Sequence, residues 1–445
     1  MIQLSLKDNG SMGILLQNGL IITQNSKREI LEADLLIEND IIKEISQNIE
    51  PDQHQVYDFS GLVISPGFIQ SHIHLCQTLF RNLADDLELL DWLEKRIWPM
   101  EMAHNEASLR ASAQLGLAEI MLGGVTSILD MGNGKFQEVI FEEMATSGIR
   151  GLSGLVMMDT GDQPYKQDTT EVLKETEKYI EKWNGRDNGR IGYALAPRFV
   201  PSCSKKLWAA VKELSEKSDL IIHTHSSENN KEWQLVKDST GFSNVEFFVQ
   251  RGLASPRLCL AHCVWVSEDE IDMLSDYHIN VLHCPTANLK LGSGIAPVPK
   301  FLSRKINVSL GSDGAPCNNN LDIFQEMRLA SLIQKPRMGV TSTTAAQIFD
   351  MATINGAKTL GLPDRIGSLE KGKKADLIVL NLNKVHSIPA DDIYAQIVYS
   401  AWPTDVRHVM IDGKWVVYDQ TLKNYSLDKI KENAWKEIQN LFQRQ

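Results

Sequence analysis

Two histidines stand one residue apart in Ser71-His72-Ile73-His74, shortly after the apolar run Leu62-Val63-Ile64. A second pair recurs in His223-Thr224-His225, Glu228 follows three residues on, and His262, His283 and Ser312-Asp313 come later. Imidazole nitrogens and a carboxylate are the ligands of a catalytic divalent metal: three histidines and one acid hold the ion and leave a position open for water. Each piece alone has a bland reading. A single histidine at a strand end is usually packed or hydrogen-bonded, an HxH pair also arises on an exposed edge strand, and Asp after Gly-Ser is often a helix N-cap. Other chemistries leave no trace: there is no GxSxG elbow, no GxxxxGK[ST] loop and no PCxxC.

The bland readings weaken once the elements that must position these residues are laid out. From about residue 66 to 365, short apolar runs alternate with helical patterns: VTSILDM, GLSGLVMM, IGYALAPR, DLIIHTH, RLCLAHC, INVLHC and INVSLGSD. The segments FQEVIFEEMATSG, SEDEIDMLSDYH and APVPKFLSRK between them read as helices. Apolar strands separated by single helices predict a parallel sheet covered on both faces. Counting the run before His72 gives eight strands, so the expected closure is a (β/α)8 TIM-type barrel. An open doubly wound sheet is the alternative, but no GxGxxG turn follows an early strand. The candidate residues then fall at the C-terminal ends of strands one, five, six, seven and eight, the rim where barrels carry active sites. His72 and His74, two apart on a strand, share one face. His223 and His225 do likewise; His225 is nearer the rim and Glu228, so it is the expected ligand and His223 is expected deeper.

The flanks differ from the middle. GILLQNGLIITQNS and ADLLIENDIIKEIS alternate with Asn-Gly and Asn-Asp breaks, predicting a small antiparallel structure before residue 66. GSLEKGKKADLIVLNL and VRHVMIDGKWVVYDQ return to β character after residue 366. The two ends are expected to pair into a discontinuous β-sandwich domain (1–65 with 366–425) beside the catalytic barrel (66–365), and SLDKIKENAWKEIQNLFQRQ to form a C-terminal helix (426–445). A net charge of -12 over 445 residues, with no basic cluster, argues against a nucleic-acid surface. No apolar stretch is long enough for a membrane span. MIQLSLKDNGSMG lacks the basic and apolar regions of a secretory signal, so a cytoplasmic protein is expected. The six cysteines, Cys76, Cys203, Cys259, Cys263, Cys284 and Cys317, form no CxxC pair and read as buried, reduced thiols.

The segments PGFIQSHIH, GGVTSILDM, HTHSSE, LAHCVWVSEDEIDML, HCPTANLKLGSGIAPV, GSDGAPCNNNLDIFQEMRLA and GSLEKGKKADLIVL, in this order, resemble the deaminase and chlorohydrolase branch of the metal-dependent amidohydrolase superfamily. The resemblance covers about residues 14 to 420 and implies a (β/α)8 barrel with a composite β-sandwich. It implies one divalent metal, zinc first and ferrous iron second, on His72, His74, His225 and Asp313. LAPRF stands where a carbamylated lysine would be, which disfavours a two-metal site and cyclic-amide hydrolysis. The resemblance further assigns Glu228 as catalytic acid and His262 as the histidine bonding the attacking oxygen. It places His283 one step behind the metal or on the substrate side. In this branch the metal lowers the pKa of water to about 7, Asp313 takes the water's proton, and Glu228 protonates a ring nitrogen.

For the substrate, LADDLELLDWLEKRIWPME resembles deaminases of 5'-deoxyadenosine, methylthioadenosine and S-adenosylhomocysteine, in which Glu101 would grip a ribose diol and Trp92 or Trp98 would line the pocket. Arg198 and Gln77 instead resemble purine-contacting residues of guanine deaminase, and Arg198 reads equally as an ion-pair partner. The expectation is a hydrolytic deaminase of a purine nucleoside or purine-like heterocycle, adenosine type first. Guanine, oxidised-purine or pterin deamination and triazine-type chloride displacement are the alternatives. A non-enzymatic scaffold is disfavoured because all four ligand positions are filled. A small-molecule substrate and a homo-oligomer are the expected partners.

Overall fold

The computed structural model describes residues 13–161 and 166–444, so the first twelve residues of the expected N-terminal β zone lie outside it. Two four-stranded parallel sheets form the centre. The first runs β1 (Phe68–Ile73), β2 (Val125–Asp130), β3 (Arg150–Ser153) and β4 (Ile191–Tyr193). The second runs β5 (Ile222–Ser226), β6 (Leu258–His262), β7 (Asn280–His283) and β8 (Val308–Leu310). Parallel bridges from Leu195 to Ile222 and from Phe199 to His225 join β4 to β5, and one from Ile73 to Asp313 joins the end of β8 back to β1. The barrel therefore closes at the rim, through residues beside the metal candidates. Its strands are buried along their whole length apart from isolated positions, as strands covered on both faces must be.

The helices begin and end on local caps. Gln137–Ser147 ends on Gly148 in the left-handed region, at φ 84°. Glu268–Asp276 starts with a capping box between Ser267 and Glu270, and Leu427–Phe442 is capped by Ser426.

The strands of the two chain ends form one continuous mixed sheet of nine strands, so the layers of the expected sandwich are joined by unbroken pairing. Two details depart from the sequence reading. The run Leu62-Val63-Ile64 does not start the barrel: Val63–Pro66 pairs with Leu377–Leu380 in the end sheet, and the first barrel strand begins at Phe68. Asn18-Gly19 is not a turn either. It is a bulge inside Ile14–Ile22, with Asn18 at φ 61° and its N–H on Asp34 Oδ1 at 2.9 Å. A Cβ on Gly19 would stand 2.6 Å from Ile64 Cδ1, so the Ile64 side chain packs where glycine leaves room. The turn signals that do work are Asn39-Asp40, between Ile30–Glu38 and Ile41–Ser46, and Asp412-Gly413, between Val406–Ile411 and Lys414–Tyr418.

One buried cation ties sheet to barrel. Arg150, at the start of β3, places Nε 2.6 Å from Asp376 Oδ2 and also pairs with Asp412, both acids belonging to the end sheet's side. All six cysteines are buried and unpaired, as expected. Among the described residues no helix is long and apolar enough to cross a membrane.

Candidate active site

The rim gathers the histidines because strand alternation and barrel closure act together. His72 points inward from β1, and His74, just past the strand, opens the short helical turn Leu75–Phe80. That turn is pinned by Asp130 at the end of β2, whose Oδ1 accepts the Leu75 N–H at 2.9 Å. Burial pushes the Asp130 carboxyl up to about 6, against the bonds from Leu75 and Ser153. His225 comes from β5, and its Nδ1–H donates to the Arg198 carbonyl at 2.7 Å. That bond leaves Nε2 as the free lone pair facing the centre. Asp313 follows β8 with φ 62°, and its N–H donates to the His72 carbonyl at 3.0 Å, the bond that closes the barrel. A non-glycine residue in the left-handed region is strained, and His262, at φ 77°, shares that condition.

The four donors converge. His72 Nε2 and His74 Nε2 each stand 3.4 Å from Asp313 Oδ1, and His74 Nε2 lies 3.3 Å from His225 Nε2. All four ligand atoms lie within 4.8 Å of one another. Burial, followed by the neighbouring imidazoles, holds His74 and His225 well below the ordinary histidine value, and burial lowers His72 too, so the rings are neutral near pH 7. Burial by itself would raise Asp313. The close approach of His72, His262 and His74 outweighs it and keeps the carboxyl well below the usual range. Neutral imidazoles aiming lone pairs at one another beside a carboxylate, with His72 Nε2 buried and unpartnered, need a cation between them. The donor set fits a divalent metal of zinc type.

A second group adjoins this cradle. Glu228 Oε2 lies 3.5 Å from His262 Nε2, which is 3.9 Å from Asp313 Oδ2. His262 Nδ1 lies 2.8 Å from Asn288 Oδ1, which fixes it as the Nδ1–H form and frees Nε2 as an acceptor. Burial first, then the Asp313 charge, raise the Glu228 carboxyl well above its ordinary value. The pocket thus holds a neutral carboxyl acid next to an ionised carboxylate.

Above them opens a cavity that reaches His74, His225, Glu228 and Asp313 at its base. Leu89, Trp92, Leu93 and Phe199 form its apolar wall. The helical segment Leu89–Met102 supplies most of it, and its middle turn, Leu93–Ile97, is wound as a π-helix, a device common at functional sites. Of the residues singled out in the sequence for substrate contact, Gln77 and Arg198 line the cavity. Glu101 lies buried behind them, receiving Gln77 Nε2 at 2.8 Å and Arg198 Nη1 at 2.8 Å. Trp98 is buried but is not among the lining residues. Trp92 lines the cavity and supplies the indole. His283 is buried at the end of β7 with neither ring nitrogen partnered, and burial pushes it down to about 3.

Sequence reasoning missed Glu232, which lines the cavity. Its carboxyl accepts the Glu228 N–H at 3.1 Å and Asn244 Nδ2 at 2.9 Å, and burial pushes it up to about 8. Its spacing of four from Glu228 was the available signal. Asn288 and Asp130 stood inside recognisable motifs without a role of their own.

The profile of the amidohydrolase family matches residues 63–416. The chain is 39% identical to a 5'-deoxyadenosine deaminase of Methanothermobacter thermautotrophicus, over 89% of this chain and 93% of that one. It is 36% identical to a 5-methylthioadenosine/S-adenosylhomocysteine deaminase of Syntrophomonas wolfei, over 96% and 99%. Among solved structures, a zinc-bound adenosine deaminase from Xanthomonas campestris superposes with a TM-score of 0.91 at 27% identity, covering 97% of this chain and 99% of that one. A profile that spans the whole barrel, and relatives matched almost end to end, leave one conclusion: the chain belongs to the amidohydrolase family.

Proposed function

We propose that this protein is a hydrolytic deaminase of adenosine-type nucleosides, 5'-deoxyadenosine and its 5'-thio relatives foremost, which replaces the purine 6-amino group by oxygen and releases ammonia. The observation that carries this reading is the pairing, in one cavity, of the four-donor cradle with the neutral carboxyl of Glu228. Amide hydrolysis does not call for an acid aimed at a ring nitrogen, whereas a purine does.

His72, His74, His225 and Asp313 would hold one zinc ion, which when bound lowers the pKa of a water molecule to about 7. Glu228 delivers its proton to N1 of the purine, which makes C6 electrophilic. Asp313, ionised at neutral pH, takes a proton from the attacking water at its carboxylate. His262 accepts a hydrogen bond at Nε2 and so holds the attacking oxygen over C6; Asn288 fixes the tautomer that permits this. As the C6–N bond breaks, the amino group takes up the proton that Asp313 removed from water and leaves as ammonia, while the C6–OH proton passes to the Glu228 carboxylate, so that C6 becomes a carbonyl and the acid is restored. Trp92, Leu89, Leu93 and Phe199 enclose the substrate and exclude bulk water. The resemblance assigns Glu101 to the ribose hydroxyls, which it would reach only when Gln77 and Arg198 release it from behind the cavity wall.

A second reading has its own support. Arg198 keeps N–H groups beyond those given to Glu101, and Gln77 Oε1 is a buried acceptor without a partner. A donor beside an acceptor complements the carbonyl and N–H edge of guanine or an oxidised purine. Ammonia release measured across 5'-deoxyadenosine, methylthioadenosine, S-adenosylhomocysteine, guanine, a pterin and a chlorotriazine separates the readings. Turnover of guanine above 5'-deoxyadenosine would replace the first by the second, and no ammonia from any of them would refute both.

A further inference from the structure

Beneath the cradle lies a contact that the proposed chemistry does not use. His223, on β5 two residues below His225, is fully buried, and its Nε2 stands 2.7 Å from Nδ1 of His72. The two rings are nearly perpendicular, at 89° with centroids 4.9 Å apart. A single proton must be shared across such a contact, so the tautomers of the two rings are coupled. His72 offers a lone pair at Nε2 only when Nδ1 carries the proton, and that Nδ1–H then donates to His223 Nε2. His223 keeps its own proton on Nδ1, which has no partner among the described residues. The other two imidazoles differ: His225 is oriented by the Arg198 carbonyl, and His74 Nδ1 has no protein partner.

From this geometry we infer that His223 is a positioning residue for the cation. It fixes His72 in the Nδ1–H form and aims its Nε2 at Asp313, 3.4 Å away, without adding charge. A carboxylate is the usual outer partner of a ligating histidine and would bring a second negative charge under the site. With an imidazole there instead, Asp313 is the donor set's one anion, and a bound dication keeps a net positive charge. This inference rests on the proposed cation site.

The test uses the metal-free full-length protein and zinc alone as the probe, with affinity measured by chelator competition and folding followed by thermal denaturation. Loss of an outer partner weakens metal binding by roughly 10- to 100-fold. His223→Leu, which has no acceptor, is expected to show that loss. His223→Gln, whose Oε1 can accept the same proton, should retain most of the wild-type affinity. His223→Met takes the place of the leucine variant if that one does not fold. Asp313→Asn serves as the reference: zinc binding equal in wild type and Asp313→Asn would refute the cation site itself. Wild-type affinity in a folded His223→Leu or His223→Met protein would overturn the positioning role. Equal losses in the glutamine and leucine variants would also overturn it, because ring packing and not the hydrogen bond would then be responsible.

Discussion

Replacing Glu228 by glutamine isolates proton delivery from every other feature of the site. The side chain is 5% exposed, and burial together with the Asp313 charge keeps its carboxyl protonated at neutral pH. Glutamine has nearly the same shape and still presents an N–H where the acid presented O–H, so the ground-state contact to a ring nitrogen survives and KM should change little. What glutamine cannot do is release the proton. General acid catalysis contributes on the order of 10²- to 10⁴-fold, so Glu228→Gln should lower kcat by about 10²-fold or more, about 2.7 kcal/mol in the barrier. Zinc content should not change, because Glu228 is outside the four-donor cradle. The pH profile adds a second signature. A raised folded pKa keeps the acid form present above the ordinary carboxyl range, so wild-type kcat falls as pH rises through that value, and the variant lacks this limb. The assay is ammonia release from 5'-deoxyadenosine with kcat and KM resolved and metal measured on the same samples. A fully metallated Glu228→Gln with kcat within a few-fold of wild type would remove Glu228 from the proton path.

Asp313→Asn takes away a ligand, the base and the cluster's negative charge together; bound zinc and turnover should both be lost, and near-normal activity would contradict the assignment. Arg198→Leu strands the Glu101 carboxylate in a buried site with Gln77 as its remaining donor, which should cost about 3–5 kcal/mol in urea unfolding; a stability equal to wild type would show that the pair is not a structural ion pair. Arg198 is the cavity lining's one lysine or arginine and is held by Glu101, so the carboxylate of the zwitterionic tail of S-adenosylhomocysteine finds no free cation there; its kcat/KM should fall about tenfold or more below that of 5'-deoxyadenosine, and parity would refute this. His104 sits beside the Cys76 carbonyl and Ser108; burial, with the Arg444 charge, pushes it down to about 4 against the bond to that carbonyl. The unfolded chain protonates first as pH falls below about 6.5, so about 3 kcal/mol of stability is present above that pH and lost by about pH 4; unfolding curves of wild type and His104→Gln that fall in parallel would exclude His104 as the source.

How far the sequence could be read depended on whether the signal was local. The rim histidines were legible because strand alternation and the C-terminal end rule act over a few residues, and the same logic placed His223 below His225. The helix ends at Gly148 and Ser267 were legible because capping is chemistry within one turn. Asn18-Gly19 misled because the same φ > 0 preference serves a hairpin or a bulge, and the choice was made by Asp34 and Ile64 from distant strands. Leu62-Val63-Ile64 misled for a related reason: an apolar run does not say which sheet buries it, and Leu377–Leu380 lies over 300 residues away. Trp92 and Trp98 could not be told apart, since the intervening π-turn changes the helical phase. Glu101 as the partner of Arg198 became visible only when chain segments far apart in sequence shared one wall.

The two carboxyls of the pocket make the same point in energetic terms. Burial pushes both Asp313 and Glu228 toward the neutral form, so burial cannot decide which of them is the acid. Their neighbours decide. Asp313 stands among His72, His74 and His262, whose close approach favours its charged form over the effect of burial. Glu228 faces Asp313 itself, whose charge adds to the burial, and Arg198 is the opposing influence. An unpaired guanidinium there would favour the charged form of Glu228. Glu101 holds Arg198 through Oε2 at 2.8 Å, offsetting that charge at its source. The residue assigned to the sugar hydroxyls thereby also guards the proton that the chemistry spends, which ties the substrate wall to the reacting centre through one ion pair.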